Sequence, residues 1–159
     1  MIFGNTGGVM EAALRTVYRV LEGKEAPADF YQLRPVRGLS NRKEAEVTIA
    51  GKKLRVCILY GTAAAEEFLA EDMNGYHFVE VMTCPGGCIS GAGQPDCGSV
   101  PVSDVVRKKR IQSLYQADEQ AERRNSMDNP EIGTIYHEFF KEPLSMLSEK
   151  LLHTTYKRK

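Results

Sequence analysis

The sequence has no net charge, no long apolar run and few cysteines. Its 21 basic and 21 acidic residues cancel at pH 7, so no overall field attracts nucleic acid or an anionic membrane. No stretch approaches the ~18 apolar residues that a membrane span needs. The first residues lack the basic and apolar regions of a signal peptide. These absences predict a cytoplasmic protein with no nucleic-acid or membrane partner.

The order of the predicted elements indicates the fold class. A length of 159 residues suits one compact domain with a small helical unit appended. Helix, strands, helix and strand follow one another in residues 1–101, which predicts an α/β lobe with a small twisted sheet and flanking helices. Residues 102–159 are charged and helix-like, and are predicted as a helical extension. The segment GQPDCGSVPVSD is rich in residues that break regular structure and predicts the boundary.

Apolar spacing predicts the individual elements of the first part. Met10, Leu14, Val17 and Leu21 recur at helical intervals, which predicts a helix that Gly23 ends. FYQLRPVRG is interpreted as an edge strand interrupted by proline. KEAEVTIAGKKLRVCILYG predicts a hairpin that turns at AGK. A short helix in TAAAEEFLAEDM and a strand in YHFVEVM complete the lobe.

Three helices are predicted beyond the boundary. They lie in DVVRKKRIQSLYQADEQAERR, SMDNPEIGTIYHEFFKEP and LSMLSEKLLHTTY. In the second, Asn129 is the predicted cap and Pro130 the first helical residue. The basic run Arg107–Arg110 is predicted to be the solvated face of a helix start.

Two of the four cysteines lie close together in MTCPGGCISGAGQP. Cys84 and Cys88 follow a predicted strand directly, and Pro85 fixes one backbone angle between them. Gly86 and Gly87 allow positive φ angles and close approach of the backbone, so the loop can form a nest of N–H groups around an anionic group. The segment suits a bulky anionic inorganic cofactor better than a zinc ion, the alternative being two incidental thiols in a loop.

The ligand count falls short of a complete site. A structural zinc ion and a cubane iron–sulfur cluster both usually take four ligands. Cys97 is a candidate third ligand if the loop folds back, whereas Cys57 lies in an apolar strand and is predicted to be a buried hydrophobe. The three histidines are interpreted as structural. This chain is therefore not expected to complete a conventional cluster alone.

Several segments together resemble the iron-only, or [FeFe], hydrogenases. MTCPGGCISGAGQP is similar to the third cysteine signature of their large subunit, and FGNTGGVMEAALRT to a second specific segment. VRGLSNRKEAEV, YHFVEVM and the helical tail match in the same order, and the tail resembles the small-subunit region. The resemblance extends from Ile2 to about Tyr156.

The resemblance implies a cofactor and a site. The family reduces protons reversibly to dihydrogen at an H-cluster, a [4Fe–4S] cubane joined through one thiolate to a di-iron unit with CO, cyanide and dithiolate ligands. By similarity, Cys84 ligates the cubane, and Cys88 ligates it and bridges to the di-iron unit. Met82, Phe3 and Gly4 line the di-iron pocket. Gly86 and Gly87 belong to the cofactor-binding loop, as described above.

The same resemblance implies missing parts and partners. Two earlier cysteine motifs of the family, of the types T-S-C-C-P and M-P-C-x-x-K-x-x-E, do not occur in this sequence. We therefore expect the chain to be the C-terminal portion of a hydrogenase, as a truncation, a fragment or one piece of a split enzyme. The implied partners are the N-terminal half of the domain, a ferredoxin-like electron donor and the maturation proteins, with a homodimer of the fragment as a further expectation. A non-hydrogenase relative of the cluster-assembly type, and a metal-free interaction module, are the alternative interpretations.

Overall fold

A computed structural model describes residues 2–71 and 73–156. Its sheet has three strands in the order β1-β2-β3: β1 (Arg42–Ile49), β2 (Lys52–Tyr60) and β3 (Phe78–Met82). Helix α1 (Gly8–Glu22) precedes β1, and helix α2 (Thr62–Ala70) lies between β2 and β3. The predicted α/β class, with a small sheet and flanking helices, is confirmed.

Helix α1 follows the predicted apolar face for most of its length. Met10 and Leu14 are buried, and Val17 packs against the core. Leu21, the last residue of this apolar series, is 52% exposed; it lies in the last turn, next to the C-cap. Gly23 ends the helix as predicted, because its φ of 67° is left-handed and its N–H closes on the carbonyl of Arg19.

The hairpin places a buried row of side chains on β1. Strands β1 and β2 are antiparallel, with Ile49 opposite Lys52. Ala50 and Gly51 connect them, and both have positive φ angles, as the tight hairpin turns with matching twist require. Burial alternates along β1, which is the pattern of a strand with one face in the core.

The connection through α2 makes β3 parallel to β2. Tyr60 pairs with Met82 at the carboxyl end of both strands. The chain therefore leaves this end of the sheet directly into the cysteine-containing segment. Since β3 is an edge strand, this segment begins at the rim of the sheet.

The segment between α1 and β1 is not the predicted strand. It forms two short 3₁₀ turns, Ala28–Gln32 and Arg34–Val36. Phe30 and Val36 are buried in the core beside α1, and Pro35 lies within the second turn. The sequence suggests an extended strand here. The structure instead buries Phe30 and Val36 from two compact turns.

Apolar side chains of β2 are buried on both faces of the sheet. One face packs against α1 and the 3₁₀ turns through the buried residues Met10, Leu14, Ala26, Phe30, Val36, Ala45, Val47, Ile49, Val56 and Ile58. The other face packs against α2 through Cys57, Leu59, Ala64 and Phe68. The sheet is thus the middle of three layers.

The chain divides into two compact units, the first ending at Arg124 and the second beginning at Asn125. Helix α3 (Asp104–Glu119) belongs to the first unit and has Ser103 as its N-cap. The second unit contains α4 (Pro130–Ile135), a π-helical turn (Tyr136–Phe140) and α5 (Met146–Leu152). Asn129 caps α4 and Pro130 begins it, as predicted.

Within the described ranges, no helix combines the length and the apolar character needed to cross a membrane.

Candidate functional site

The cysteine loop is a compact series of tight turns. We use this name for Met82–Gln94. The N–H of Gly87 donates to the carbonyl of Cys84 at 2.9 Å, and the N–H of Gly91 donates to that of Cys88 at 3.0 Å. Gly86 and Gly87 are buried and have φ angles of 80° and 97°. Both positions therefore use the conformational freedom that glycine alone has at low cost.

The N-terminal segment lies against this loop. A 3₁₀ turn, Ile2–Gly4, leads into residues where the N–H of Thr6 donates to the carbonyl of Gly86 at 2.9 Å. A Cβ atom at Gly87 would lie 2.9 Å from the oxygen of Gly4 and from Sδ of Met82. The two segments that carry the strongest resemblance are therefore in close contact, through Thr6 and Gly86, which are 80 positions apart.

The predicted ligand and pocket side chains differ in exposure. Cys84 is half-buried and Cys88 is exposed. Met82 is half-buried, while Phe3 is 47% exposed. Cys57 is fully buried, as predicted, and burial raises the pKa of its thiol. The two thiols of the loop are thus the accessible pair near the glycine-rich turns.

The described residues do not complete a metal site. In the two described ranges, no three side chains of the types His, Cys, Asp and Glu come together as ligands. Cys97 lines a cavity of about 500 Å³ together with Arg107 and Arg110. A hydrogen bond with Ser99 lowers the pKa of the Cys97 thiol.

Even so, the loop fits two thiolate ligands of a bulky cluster. A Cβ atom placed on Gly91 would come within 4.0 Å of Sγ of Cys84, so glycine at this position leaves the space beside the thiol free. Gly86 and Gly87 are buried in the same turn and let it pack closely against neighbouring residues. Soft thiolates with free space beside one of them suit iron–sulfur chemistry.

Glu80 is a site residue that sequence reasoning missed. It lies on β3 and is 6% exposed. Its carboxylate accepts hydrogen bonds from the N–H of Gly7 at 2.6 Å and from the N–H of Met10 at 2.7 Å. A carboxylate at this place satisfies free N–H groups of the α1 N-terminus and complements the helix dipole. Glu80 thereby connects the N-terminal segment to the strand that enters the cysteine loop.

Lys43 holds the other side of the N-terminal segment. Its ammonium group donates to the carbonyl and the hydroxyl of Thr6 at 3.1 and 3.2 Å, and to the carbonyl of Gly38 at 3.1 Å. Burial lowers the pKa of Lys43 to about 8, although the charge of Glu80 opposes this shift. Since Thr6 contacts the cysteine loop, Lys43 supports the site through one intermediate residue.

The lowered pKa predicts a pH dependence of stability. Between pH 8 and the ordinary value of 10.5, the unfolded chain binds the Lys43 proton more strongly than the folded chain. The contribution of Lys43 to the free energy of unfolding should therefore rise with pH across this window, by about 1 to 3 kcal/mol. Urea unfolding of wild type and Lys43→Met at pH 8, 9 and 10 measures the difference.

The exposed Lys53 provides the control for this prediction. Lys53 lies on the neighbouring strand, and its side chain is 75% exposed. Lys53→Met should leave the pH profile parallel to wild type. If Lys43→Met is also parallel, Lys43 keeps an ordinary pKa in the folded protein and the prediction is wrong.

A buried ionic network joins α1 to α3. Arg15 is 1% exposed; its two terminal nitrogens donate to the two oxygens of Asp118 at 3.0 and 2.9 Å, and one of them donates to Glu11 at 2.6 Å. Arg37 and Arg124 add a second cation to Glu11 and to Asp118, respectively. Burial opposes ionisation of Asp118, but the hydrogen bonds from Arg15 and Arg124 outweigh it and lower its pKa.

The missed residues share a sequence signal. Glu80 interrupts the apolar strand FVEVM, and Glu11 and Arg15 stand four apart within VMEAALRT. Charged residues are almost never fully buried unless they are paired, so a charge among residues predicted to be buried indicates a partner elsewhere. Their partners lie up to 103 positions away, which local patterns do not reveal.

Two family profiles match the chain. That of the iron only hydrogenase large subunit, C-terminal domain, matches residues 1–92. That of the iron hydrogenase small subunit matches residues 104–159. The cysteine loop up to residue 92 falls in the first match, and α3 falls in the second.

Named relatives agree with these matches. Iron hydrogenase 1 of Clostridium pasteurianum is 38% identical over 161 residues, which cover 99% of this chain and 28% of that protein. The NADP-reducing hydrogenase subunit HndD of Solidesulfovibrio fructosivorans is 43% identical, over 98% of this chain and 26% of its own length. Protein NAR1 of Arabidopsis thaliana is 30% identical, over 98% and 33%.

A solved structure matches almost the whole chain. It is a variant of the [FeFe]-hydrogenase HydA1 from Chlamydomonas reinhardtii, with a TM-score of 0.71 and 31% identity over 98% of this chain and 46% of that one. The chain thus spans about a quarter to a third of the length of the curated relatives named above.

Proposed function

Because the chain belongs to the iron-only hydrogenase family, we propose that it supplies two thiolate ligands and one wall of an H-cluster site. The whole enzyme would catalyse the reversible reduction of two protons by two electrons to dihydrogen. The observation that carries this proposal is the contact between the cysteine loop and the N-terminal segment, which places Gly4 and Met82 beside Gly87.

The proposed roles are those that the resemblance to the family implies for these side chains. Cys84 and Cys88 would hold the [4Fe–4S] cubane as thiolates, and Cys88 would also bridge to the di-iron unit. Phe3 and Met82 would exclude water from the pocket, while Gly86 and Gly87 would let the backbone approach the cluster. The bound cofactor supplies the redox chemistry itself.

The other ligands would come from outside the described residues, since these hold no group of three candidate ligands. We propose that a second portion of the hydrogenase domain, on the same or another chain, provides them. A ferredoxin-like donor and maturation proteins are the corresponding partners. The division into an H-cluster lobe at residues 1–101 and a small-subunit-like extension at 102–159, a cytoplasmic location and a homodimer of the fragment stay predictions.

Complementation tests the proposal. The chain is co-expressed with a polypeptide carrying the two missing cysteine motifs and with the maturation proteins, under anaerobic conditions. We expect hydrogen evolution, and infrared bands of iron-bound CO and cyanide. Cys84→Ala and Cys88→Ala should each abolish both signals, because each removes a proposed ligand of the cubane.

Cys97→Ser is the matched control, since the described residues do not bring Cys97, the candidate third ligand, together with Cys84 and Cys88 as a ligand group. It should retain both signals. Hydrogen evolution that survives in Cys84→Ala and Cys88→Ala would contradict the site assignment. Reconstitution of the isolated chain with ferrous iron and sulfide adds a second measurement, in which a colourless product would favour the metal-free interpretation.

An iron–sulfur protein of the cluster-assembly type is the second candidate function. The 30% identity with NAR1 over nearly the whole chain favours it, as does the mouse protein named cytosolic iron-sulfur assembly component 3, at 28% identity. A complemented complex that binds an iron–sulfur cluster but lacks CO and cyanide bands would support this function over hydrogen chemistry.

A further inference from the structure

The basic run at the start of α3 divides into two pairs with different surroundings. Lys108 and Lys109 are exposed, whereas Arg107 and Arg110 are half-buried. Residues three apart on a helix share a face, and here the arginine face is turned toward the cysteine loop. The prediction that the whole run is a solvated helix face is therefore wrong for its two arginines.

Arg110 joins two points of the loop and the segment that follows it. One terminal nitrogen of its guanidinium donates to the carbonyl of Ile89 at 2.6 Å, and the other donates to the carbonyl of Pro95 at 2.7 Å. Arg107 donates through Nε to the hydroxyl of Ser90 at 3.1 Å and pairs with Asp104. The two arginines thus contact the chain on both sides of its glycine-rich stretch.

We propose that Arg110, assisted by Arg107, is a positioning residue for the two thiols of the cysteine loop. Gly91 and Gly93 lie between the two carbonyls that Arg110 holds, and glycine loses more backbone freedom on ordering than any other residue. A planar fork with several N–H donors can fix two separate carbonyls at once, which a lysine ammonium on a flexible stem does less well. The significance of this positioning for a metal cluster rests on the proposed function.

The proposal gives the helical part of the chain a role in the metal site. Arg107 and Arg110 fall in the region that matches the small-subunit profile, while Cys84 and Cys88 fall in the region that matches the large-subunit profile. Helix α3 would thereby hold the cysteine loop in place, although α3 itself provides no metal ligand.

Hydrogen exchange of the 159-residue chain tests the positioning without any cofactor. The probes are the amides of Ser90, Gly91 and Gln94, which donate to carbonyls within the loop. In Arg110→Lys we expect these amides to exchange roughly tenfold faster, because a charge-assisted contact is lost while the charge is kept. Lys109→Arg, the matched control on the exposed face, should leave them unchanged.

Two outcomes would overturn the proposal. Equal exchange in Arg110→Lys and wild type would show that the fork does not restrain the loop. Faster exchange in the β1–β2 hairpin as well would make Arg110 a residue of general stability. Loop amides that exchange faster while hairpin amides do not would support the proposal.

A second readout separates positioning from ligand function. After reconstitution with ferrous iron and sulfide, we expect Arg110→Lys to change the visible spectrum of the bound iron, and Lys109→Arg to preserve it. In the metal-free chains, the rate at which Cys84 and Cys88 are alkylated should differ from wild type in Arg110→Lys. It should equal wild type in Lys109→Arg. If the isolated wild-type chain binds no iron, its missing ligands account for that result; exchange and alkylation then decide whether Arg110 positions the loop, and the complementation experiment tests the proposed function.

Discussion

Replacing Arg15 with alanine is expected to lower the free energy of unfolding by about 3 to 5 kcal/mol. The side chain is 1% exposed, and it is the cation shared by Glu11 and Asp118. Its removal leaves two buried carboxylates with one cation fewer between them and opens a space between α1 and α3. Both effects destabilise the folded state, because a buried charge without its partner keeps its desolvation cost.

Urea unfolding followed by circular dichroism measures this effect, since the chain has no tryptophan for fluorescence. Arg19→Ala is the matched control on the same helix. Arg19 pairs with Glu25, but the two side chains are 33% and 59% exposed, so the loss should stay below about 1 kcal/mol. A difference between the two variants smaller than about 1 kcal/mol would contradict the prediction that the buried network stabilises the fold.

Arg15→Met distinguishes charge from volume in the same network. Methionine restores much of the buried volume but leaves Glu11 with Arg37, and Asp118 with Arg124, as their only cations among the described ion pairs. If Arg15→Met is nearly as unstable as Arg15→Ala, the lost charge is the main cause. Recovery of most of the stability by methionine would instead assign the effect to packing.

The elements that the sequence predicted best are those with a strong local pattern. The hairpin predicted in KEAEVTIAGKKLRVCILYG is present: burial alternates along β1, and Ala50 and Gly51 form the turn. By contrast, the segment FYQLRPVRG has strand-like composition but folds into 3₁₀ turns, because its two buried side chains pack beside α1 instead of pairing along a strand. Tertiary packing therefore outweighs the strand propensity of this segment.

The candidate site was predictable only in part for a related reason. The glycine conformations at Gly86 and Gly87 follow from a local motif, and the structure bears them out. The supporting contacts of Glu80 and Arg110 depend on which distant backbone atoms come near, such as the amide of Gly7, 73 positions away from Glu80. A single sequence contains the charge but does not identify its partner, so it predicts only a strand position for Glu80 and a solvated helix position for Arg110.

The contact of the cysteine loop with the N-terminal segment makes Gly87 the most sensitive position of the loop. Its φ of 97° and ψ of −163° lie in a region that is essentially restricted to glycine. A Cβ atom there would lie 2.9 Å from the oxygen of Gly4, from Sδ of Met82 and from the nitrogen of Thr6. Because two of these three atoms are backbone, movement of one flexible side chain cannot relieve the crowding.

Gly87→Ala should therefore destabilise the chain by about 2 to 4 kcal/mol, through backbone strain together with overpacking. It should also separate the two segments and so reduce the iron bound after reconstitution. Gly93→Ala is the matched control in the same loop, since a Cβ atom at Gly93 meets no atom within 4 Å and its φ is not positive. Urea unfolding and iron analysis of both variants check the prediction. Normal stability and normal iron content in Gly87→Ala would mean that the close packing of the two segments is dispensable, for the fold as well as for the site.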